Sequence, residues 1–221
     1  MIRIKILVEG QTEETFVRDV FIPHYARQQI YITPIIVLTS PGYKGGVTGY
    51  GKIKYQITRL CREDRGAFIS TMFDLYGLPN DFPGKLEAAY PVNGEGERKA
   101  AYLEQRLAID INEHNFLPYF MVHEFEALLF ARPEKFAGWI DDQGPVESLN
   151  KIMRAHETPE QINDSPNTAP SKRIAALIPQ YQKTLHGPLI AADIGLDVMR
   201  QACPHFNGWL QRLEQLAIET R

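Results

Sequence analysis

The stretch ILVEGQTEETF, Ile6 to Phe16, decides how the rest of the chain is read. Just upstream, Ile2, Ile4 and Ile6 alternate with polar residues before Leu7 and Val8 close the run, which is the period-two pattern of a strand. Just downstream, Phe16, Val17, Val20 and Phe21 fall at helical spacing, so a helix is expected from Glu13 to about Gln28. A buried strand therefore turns through Glu9-Gly10 into a helix, the opening of a strand–helix–strand unit. Thr12 is the expected N-cap, and Glu13 and Glu14 in the first turn suit the helix dipole, so they are read as capping and surface acids. Glu9 has no such duty. Two readings remain for it: a hydrogen bond to loop amides, or a ligand-binding acid at the strand exit.

Working outward, the same alternation continues. Tyr31 to Thr39 is β-branched and reads as a second strand. A glycine-rich loop leads to a helix around Ile53 to Arg62, and GAFISTMFDLY is a third buried strand ending at Asp74. The segment Gly77 to Gly96 is a long loop with three prolines. A helix carrying Tyr102, Leu103, Leu107 and Ile111 follows, then FLPYFMV as a fourth strand. Beyond Glu124 the pattern is helical, over Pro145–Ala155, Ser171–Leu185 and Leu196–Glu219. The expectation is an α/β fold: a parallel sheet of about four strands flanked by helices over residues 1–132, with a helical C-terminal region, 133–221, packed on it as one unit.

Composition narrows the function classes. The 221 residues carry a formal net charge of −3 and are 44% apolar, which describes an ordinary globular chain and not a polycation. Nucleic-acid binding would need a local basic patch or a metal. Cys61 and Cys203 are the only cysteines, which argues against a disulfide framework or a cysteine-based zinc site. The amino end lacks the pattern of a signal peptide, and no apolar run approaches the roughly 20 residues of a membrane span. A cytoplasmic setting is expected.

In an open parallel sheet, ligands bind outside the carboxyl ends of the strands. Acids fall there three times: Glu9 after the first strand, Asp74 ending the third, and Glu124 with Glu126 after the fourth. First and third strands of such sheets are often neighbours. Two carboxylates about 4 Å apart repel by roughly 4 kcal/mol at an effective dielectric near 20. A proton or a cation must relieve that, and a hard divalent ion such as Mg²⁺ or Mn²⁺ is the natural partner. Asp74 alone is equally explained as a strand-to-loop aspartate. In HEFE, a continuing strand would put Glu124 and Glu126 on one face, whereas a helix starting near Glu124 would point them apart. His123 reads either as a metal ligand or, more often for a lone histidine beside a strand end, as a hydrogen-bonding or structural residue, and HEFEA has Ala127 where a zincin needs its second histidine.

GVTGYGKI, Gly46 to Ile53, satisfies G-x-x-x-x-G-K, but Ile53 stands where a P-loop needs Ser or Thr. The alternatives are a plain surface loop, or a mobile loop whose Lys44 and Lys52 clamp a phosphate. In the C-terminal third, Lys172 and Arg173 open a helix where free amides attract anions, and they are candidate phosphate ligands. Tyr181 is read either as a base-stacking or as a core residue, and Phe206, Trp209 and Leu210 as core. Cys203 and His205 are read as structural.

Taken together, VEGQTEE, FDLYGLP, HEFEALLF, SKRI and CPHFNGWL resemble a bacterial family, domain of unknown function 4276, over essentially the whole chain. That family looks Toprim-like, and Toprim domains place a Glu after the first strand, an Asp-x-Asp after the third, and use Mg²⁺. The resemblance implies that Glu9 and Asp74 are metal ligands and catalytic acids. The second aspartate of the pattern falls on Tyr76, so either Glu124 or Glu126 supplies the missing carboxylate, or the metal site is weak or lost. It further implies a metal-dependent nuclease, in a phage-defence context with a partner ATPase. The rival from another class is a non-catalytic nucleic-acid-binding or regulatory module.

Overall fold

The computed structural model describes residues 1–37, 49–93, 95–140, 144–163 and 168–219. Strand β1 (Ile2–Val8) leads into helix α1 (Gln11–Phe16), one π-helical turn (Val17–Phe21) and helix α2 (Ile22–Ala26). Strand β2 (Ile30–Ile36), helix α3 (Tyr50–Glu63) and strand β3 (Phe68–Asp74) follow. A short 3-10 turn (Leu75–Gly77) and a loop lead to helix α4 (Gly96–Ile111) and the short strands β4 (Phe116–Leu117) and β5 (Phe120–Met121). After β5 come 3-10 turns at Phe125–Ala131 and Pro133–Gly138, and then helices α5 (Gly144–Arg154), α6 (Pro170–Leu177), α7 (Lys183–Ile194), α8 (Leu196–Ala202) and α9 (Pro204–Glu219).

The sheet is parallel throughout, in the order β2-β1-β3-β4, with β5 also on β3. This is the expected α/β arrangement, and β1 and β3 are direct neighbours, Val8 lying across from Met72. Alternation along β1 divides the core between the two faces. Ile4, Ile6 and Val8 pack with α1, α2 and the C-terminal helices, down to Trp209 and Leu213. Leu7 packs with Ile53, Ile57 and Cys61 of α3 and Leu103 and Leu107 of α4. Strand β2 is paired on one side, to β1, and carries Pro34, which lacks the N–H an inner strand would need.

Several details depart from the sequence expectation for identifiable reasons. The first helix begins at Gln11, because Gly10 is its N-cap: the Glu13 carboxylate folds back to accept the Gly10 N–H at 3.1 Å. Thr12 is not the cap and is buried. The π turn ahead of Pro23 widens the helix where the proline ring and missing amide would otherwise break it. The fourth strand is split at Pro118-Tyr119. There Thr71 Oγ1 replaces the ladder, accepting the Tyr119 N–H at 3.0 Å and donating to its carbonyl at 2.9 Å. The helix expected over Ser171–Leu185 is interrupted at 178–182, around Pro179, and the last one at Cys203, since Pro204 constrains the residue before it and opens α9.

The last helix is held on the sheet by specific bonds as well as by packing. Trp209 stacks on Tyr119 with ring centroids 4.2 Å apart, and its indole N–H donates to Ser70 Oγ at 2.9 Å. Buried Glu160 accepts the backbone N–H groups of His205 and Phe206, both at 2.9 Å, at the start of α9. Buried Glu104 accepts from Phe120 N at 3.0 Å, lies 2.8 Å from His205 Nε2, and accepts from Arg212 at 3.3 Å. His205 is thus tied to Glu104, and Cys203 is buried in the core beside it. Among the described residues no helix is long and apolar enough to cross a membrane.

Candidate functional site

Parallel pairing of β1 with β3 brings Glu9 and Asp74 to the same sheet edge. The Glu9 side chain continues the ladder where the strands end: its Oε1 accepts the Asp74 backbone N–H at 3.0 Å. Asp74 Oδ1 in turn accepts the N–H of Phe125 at 3.1 Å, tying the end of β3 to the turn after β5. That turn is a 3-10 helix with Glu124 as its N-cap residue, so the divergent reading of HEFE holds. Glu126 is fully buried and faces Lys183, whose Nζ lies 3.0 Å from Glu126 Oε2 and 3.7 Å from Asp74 Oδ2. The contact with Glu126 is an ion pair, and neither carboxylate oxygen receives a hydrogen bond of good geometry among the described residues.

Glu124 points elsewhere. Both its oxygens are engaged by Ser171: Oε1 accepts the backbone N–H and Oε2 the hydroxyl, the latter at 2.9 Å. It thereby serves the first turn of α6, and of the metal set expected from the sequence (Glu9, Asp74, Glu124) only Glu9 and Asp74 share the pocket. The anion position expected at this helix start is taken by the protein's own carboxylate. Lys172 is exposed there, while Arg173 Nε donates to the Thr168 carbonyl at 2.6 Å. Lys52 is exposed in the first turn of α3, and Ile53 is buried in the core, which gives the P-loop reading no hydroxyl at that position. Lys44 lies outside the described residues.

The charge balance of the pocket is unequal. Asp74 is opposed by Glu9, Glu13 and Glu126, Glu9 by Glu13, and Glu126 by Glu124, while Lys183 acts against the acids. Burial, aided by Glu13, pushes the Glu9 carboxyl up to about 7. Burial pushes Glu126 up to about 7 as well, against the pull of Lys183. Asp74 is raised well above its ordinary range by burial and by Glu9. Burial alone would lower Lys183, but Asp74 and Glu126 outweigh it and hold the ammonium above its usual range. Among the described residues no three carboxylate, histidine or cysteine side chains form a ready-made metal cage.

Residues the sequence reading did not single out complete the pocket. A Cβ on Gly77 would stand 2.9 Å from Glu9 Oε1 and 3.1 Å from Oε2, so a larger residue there obliges the carboxylate to shift. A Cβ on Gly187 would meet Phe125 and the Tyr181 hydroxyl, both at 3.1 Å, which shows how closely α7 lies over the site. The Tyr181 hydroxyl is buried near Glu126 rather than presented to a base. Lys183 was legible only as one more cation of the C-terminal third. The sequence reading puts it late in a helix over Ser171–Leu185, whereas it is the first residue of α7, where a lysine opposes the macrodipole.

Two neighbours frame the pocket. Tyr76, half exposed, has its ring 5.4 Å from that of His123. His123 adopts φ 69°, lies 3.2 Å from Asn163 Nδ2 through its Nδ1, and is pushed down to about 4 by burial. It is neutral at physiological pH and structural.

No curated protein and no solved structure matches the chain significantly. A family match spans residues 8–214, and with it every acid of the pocket. The chain belongs to the family described as domain of unknown function DUF4276.

Proposed function

We propose that the acidic pocket at the sheet edge binds Mg²⁺ or Mn²⁺ and cleaves phosphodiesters in nucleic acid, in the manner of a Toprim-like nuclease. The observation that carries this reading is the excess of buried carboxylate over cation. Three carboxylates face one ammonium: Glu9 Oε1 accepts from Asp74 N, Asp74 Oδ1 from Phe125 N, and Lys183 lies 3.0 Å from Glu126 Oε2 and 3.7 Å from Asp74 Oδ2. An all-oxygen donor set with more carboxylates than cations, including a fully buried Glu126 paired with Lys183, fits a hard divalent ion. Such an ion, when bound, supplies Lewis-acid stabilisation of a phosphoryl oxygen and an activated water.

The protein's own groups do the rest. Glu9 and Asp74 hold the cation at the strand ends. Glu126, whose carboxyl burial pushes up to about 7 in the metal-free protein, completes the acidic set beside them. Exposed Lys172 and Lys52, with Lys44, attract the phosphate backbone. A cytoplasmic setting and a partner ATPase in phage defence belong to the same proposal. Hydrolysis of single- and double-stranded DNA and of RNA with Mn²⁺, compared between wild type and Glu9→Gln, is the test. Metal-dependent cleavage lost in the variant is expected, and wild-type protein that neither binds Mn²⁺ nor cleaves any of the three overturns the reading. A second reading, a non-catalytic nucleic-acid-binding or regulatory module, is favoured by Tyr76 standing where the Toprim pattern has its second aspartate.

A further inference from the structure

The position between Asp74 and Glu126 already holds a cation, supplied by the chain. Lys183 Nζ lies 3.0 Å from Glu126 Oε2 and 3.7 Å from Asp74 Oδ2. Nothing in helix α7 calls for a lysine there. It is the first residue of that helix, where a positive charge opposes the macrodipole by roughly 0.3–1 kcal/mol. The acids account for it. Removing the ammonium would leave buried Asp74 against Glu9, Glu13 and Glu126, and Glu126 against Glu124, with no counter-charge from Lys183.

The body of α7 and its lysine differ in freedom. Gly187 brings the helix so close to Phe125, Tyr181 and Thr12 that a Cβ would be 3.1, 3.1 and 3.6 Å from their atoms, which pins the backbone over the pocket. The Lys183 side chain, by contrast, is 38% exposed on a flexible four-carbon stem. Its head can leave the pocket by rotamer change, with no movement of the helix.

We propose that Lys183 is a built-in competitor for the divalent-cation site: its ammonium neutralises Asp74 and Glu126 in the metal-free protein and must swing out to solvent before a divalent ion takes full possession of those oxygens. This deepens the metal-site reading given above and rests on it, though not on the cleavage reaction. Lys183 would thereby keep the acidic pocket folded without metal and set the metal concentration at which the site fills. The lysine acts on affinity as a competing ligand of fixed local concentration, so its removal tightens binding even though it also removes a stabilising ion pair.

The experiment uses the full chain, freed of metal with a chelator, as wild type, Lys183→Met and Lys183→Arg. Mn²⁺ binding is measured by calorimetry, and melting temperature with and without Mn²⁺. Lys183→Met should bind Mn²⁺ at least tenfold more tightly than wild type, with a larger Mn²⁺-induced rise in melting temperature. Lys183→Arg, which keeps a cation in the pocket, should stay at or below wild-type affinity. If Lys183→Met is unfolded without metal, folding upon Mn²⁺ addition supports the proposal and failure of Mn²⁺ to rescue it overturns it. Unchanged or weaker Mn²⁺ binding by a folded Lys183→Met overturns it too. If wild type shows no Mn²⁺ binding, the metal-dependent reading fails, while a gain of binding in Lys183→Met would still uphold the competitor role.

Discussion

Glu9 Oε1 accepts the backbone N–H of Asp74 at 3.0 Å, so one acid of the pocket closes the strand that carries the other. The bond needs an acceptor at that position but not a charge. Glu9→Gln retains the carbonyl and removes the negative charge from a site crowded with acids. The variant should be as stable as wild type or more so in chelator, and should lose at least tenfold in Mn²⁺ affinity. Calorimetry and thermal melts read both. A variant that keeps full affinity would remove Glu9 from the ligand set.

Gly77 tests the shape of the same carboxylate's place. Gly77→Ala puts a methyl group 2.9 Å from Glu9 Oε1 and should destabilise by about 1–3 kcal/mol. Gly208→Ala, inside α9 and with nothing within 4 Å of the new Cβ, should instead stabilise by about 0.5–1 kcal/mol. Denaturant melts of the two variants should therefore move in opposite directions. A Gly77→Ala midpoint equal to wild type would show that the carboxylate has room to spare.

The two acids of HEFE should separate by function. Glu124 holds Ser171 at the first turn of α6, so Glu124→Ala should cost about 1–2 kcal/mol of stability and leave Mn²⁺ affinity near wild type. Glu126→Gln should weaken Mn²⁺ binding instead. Equal effects on affinity would return Glu124 to the metal set.

Tyr76 stands where the proposed Toprim-like reading would place a second aspartate. It is half exposed beside His123, with room at the surface for a shorter side chain. Tyr76→Asp should tighten Mn²⁺ binding, because an added carboxylate oxygen suits a hard ion, and Tyr76→Phe should change little. Unchanged affinity in Tyr76→Asp together with loss of function in Tyr76→Phe would assign the role to the hydroxyl.

Stability in chelator should fall as pH rises. Glu9, Glu126 and Glu160 all have carboxyls pushed up to about 7, with burial the largest cause in each case. Between the ordinary carboxyl range and pH 7 the folded state therefore binds more protons than the unfolded chain, and the slope of stability with pH is negative. His205, raised by Glu104 against the effect of burial, acts in the same direction, losing its contribution as pH climbs through its folded value. The melting temperature should be higher at pH 5.5 than at pH 8, and Glu160→Gln should flatten part of that difference. A melting temperature that climbs over this range would contradict the inequality of charge in the pocket.

How much of this was legible follows from range. Alternation in Ile2–Val8 and the acids at strand exits are local patterns, and a parallel sheet brings such exits to one edge whatever the details of packing. Local pattern was therefore enough for the sheet, the neighbourhood of Glu9 and Asp74, and the core role of Trp209. It could not resolve HEFE, because the choice between a strand and a helix there rests on Asp74 capturing the Phe125 N–H across the sheet. Nor could it find Lys183. The lysine lies far along the chain from both acids, and its meaning depends on α7 crossing the pocket closely enough to require Gly187. Which cation answers those acids is a matter of long-range packing, since electrostatic pairing acts over a few ångströms and carries no signature in local spacing.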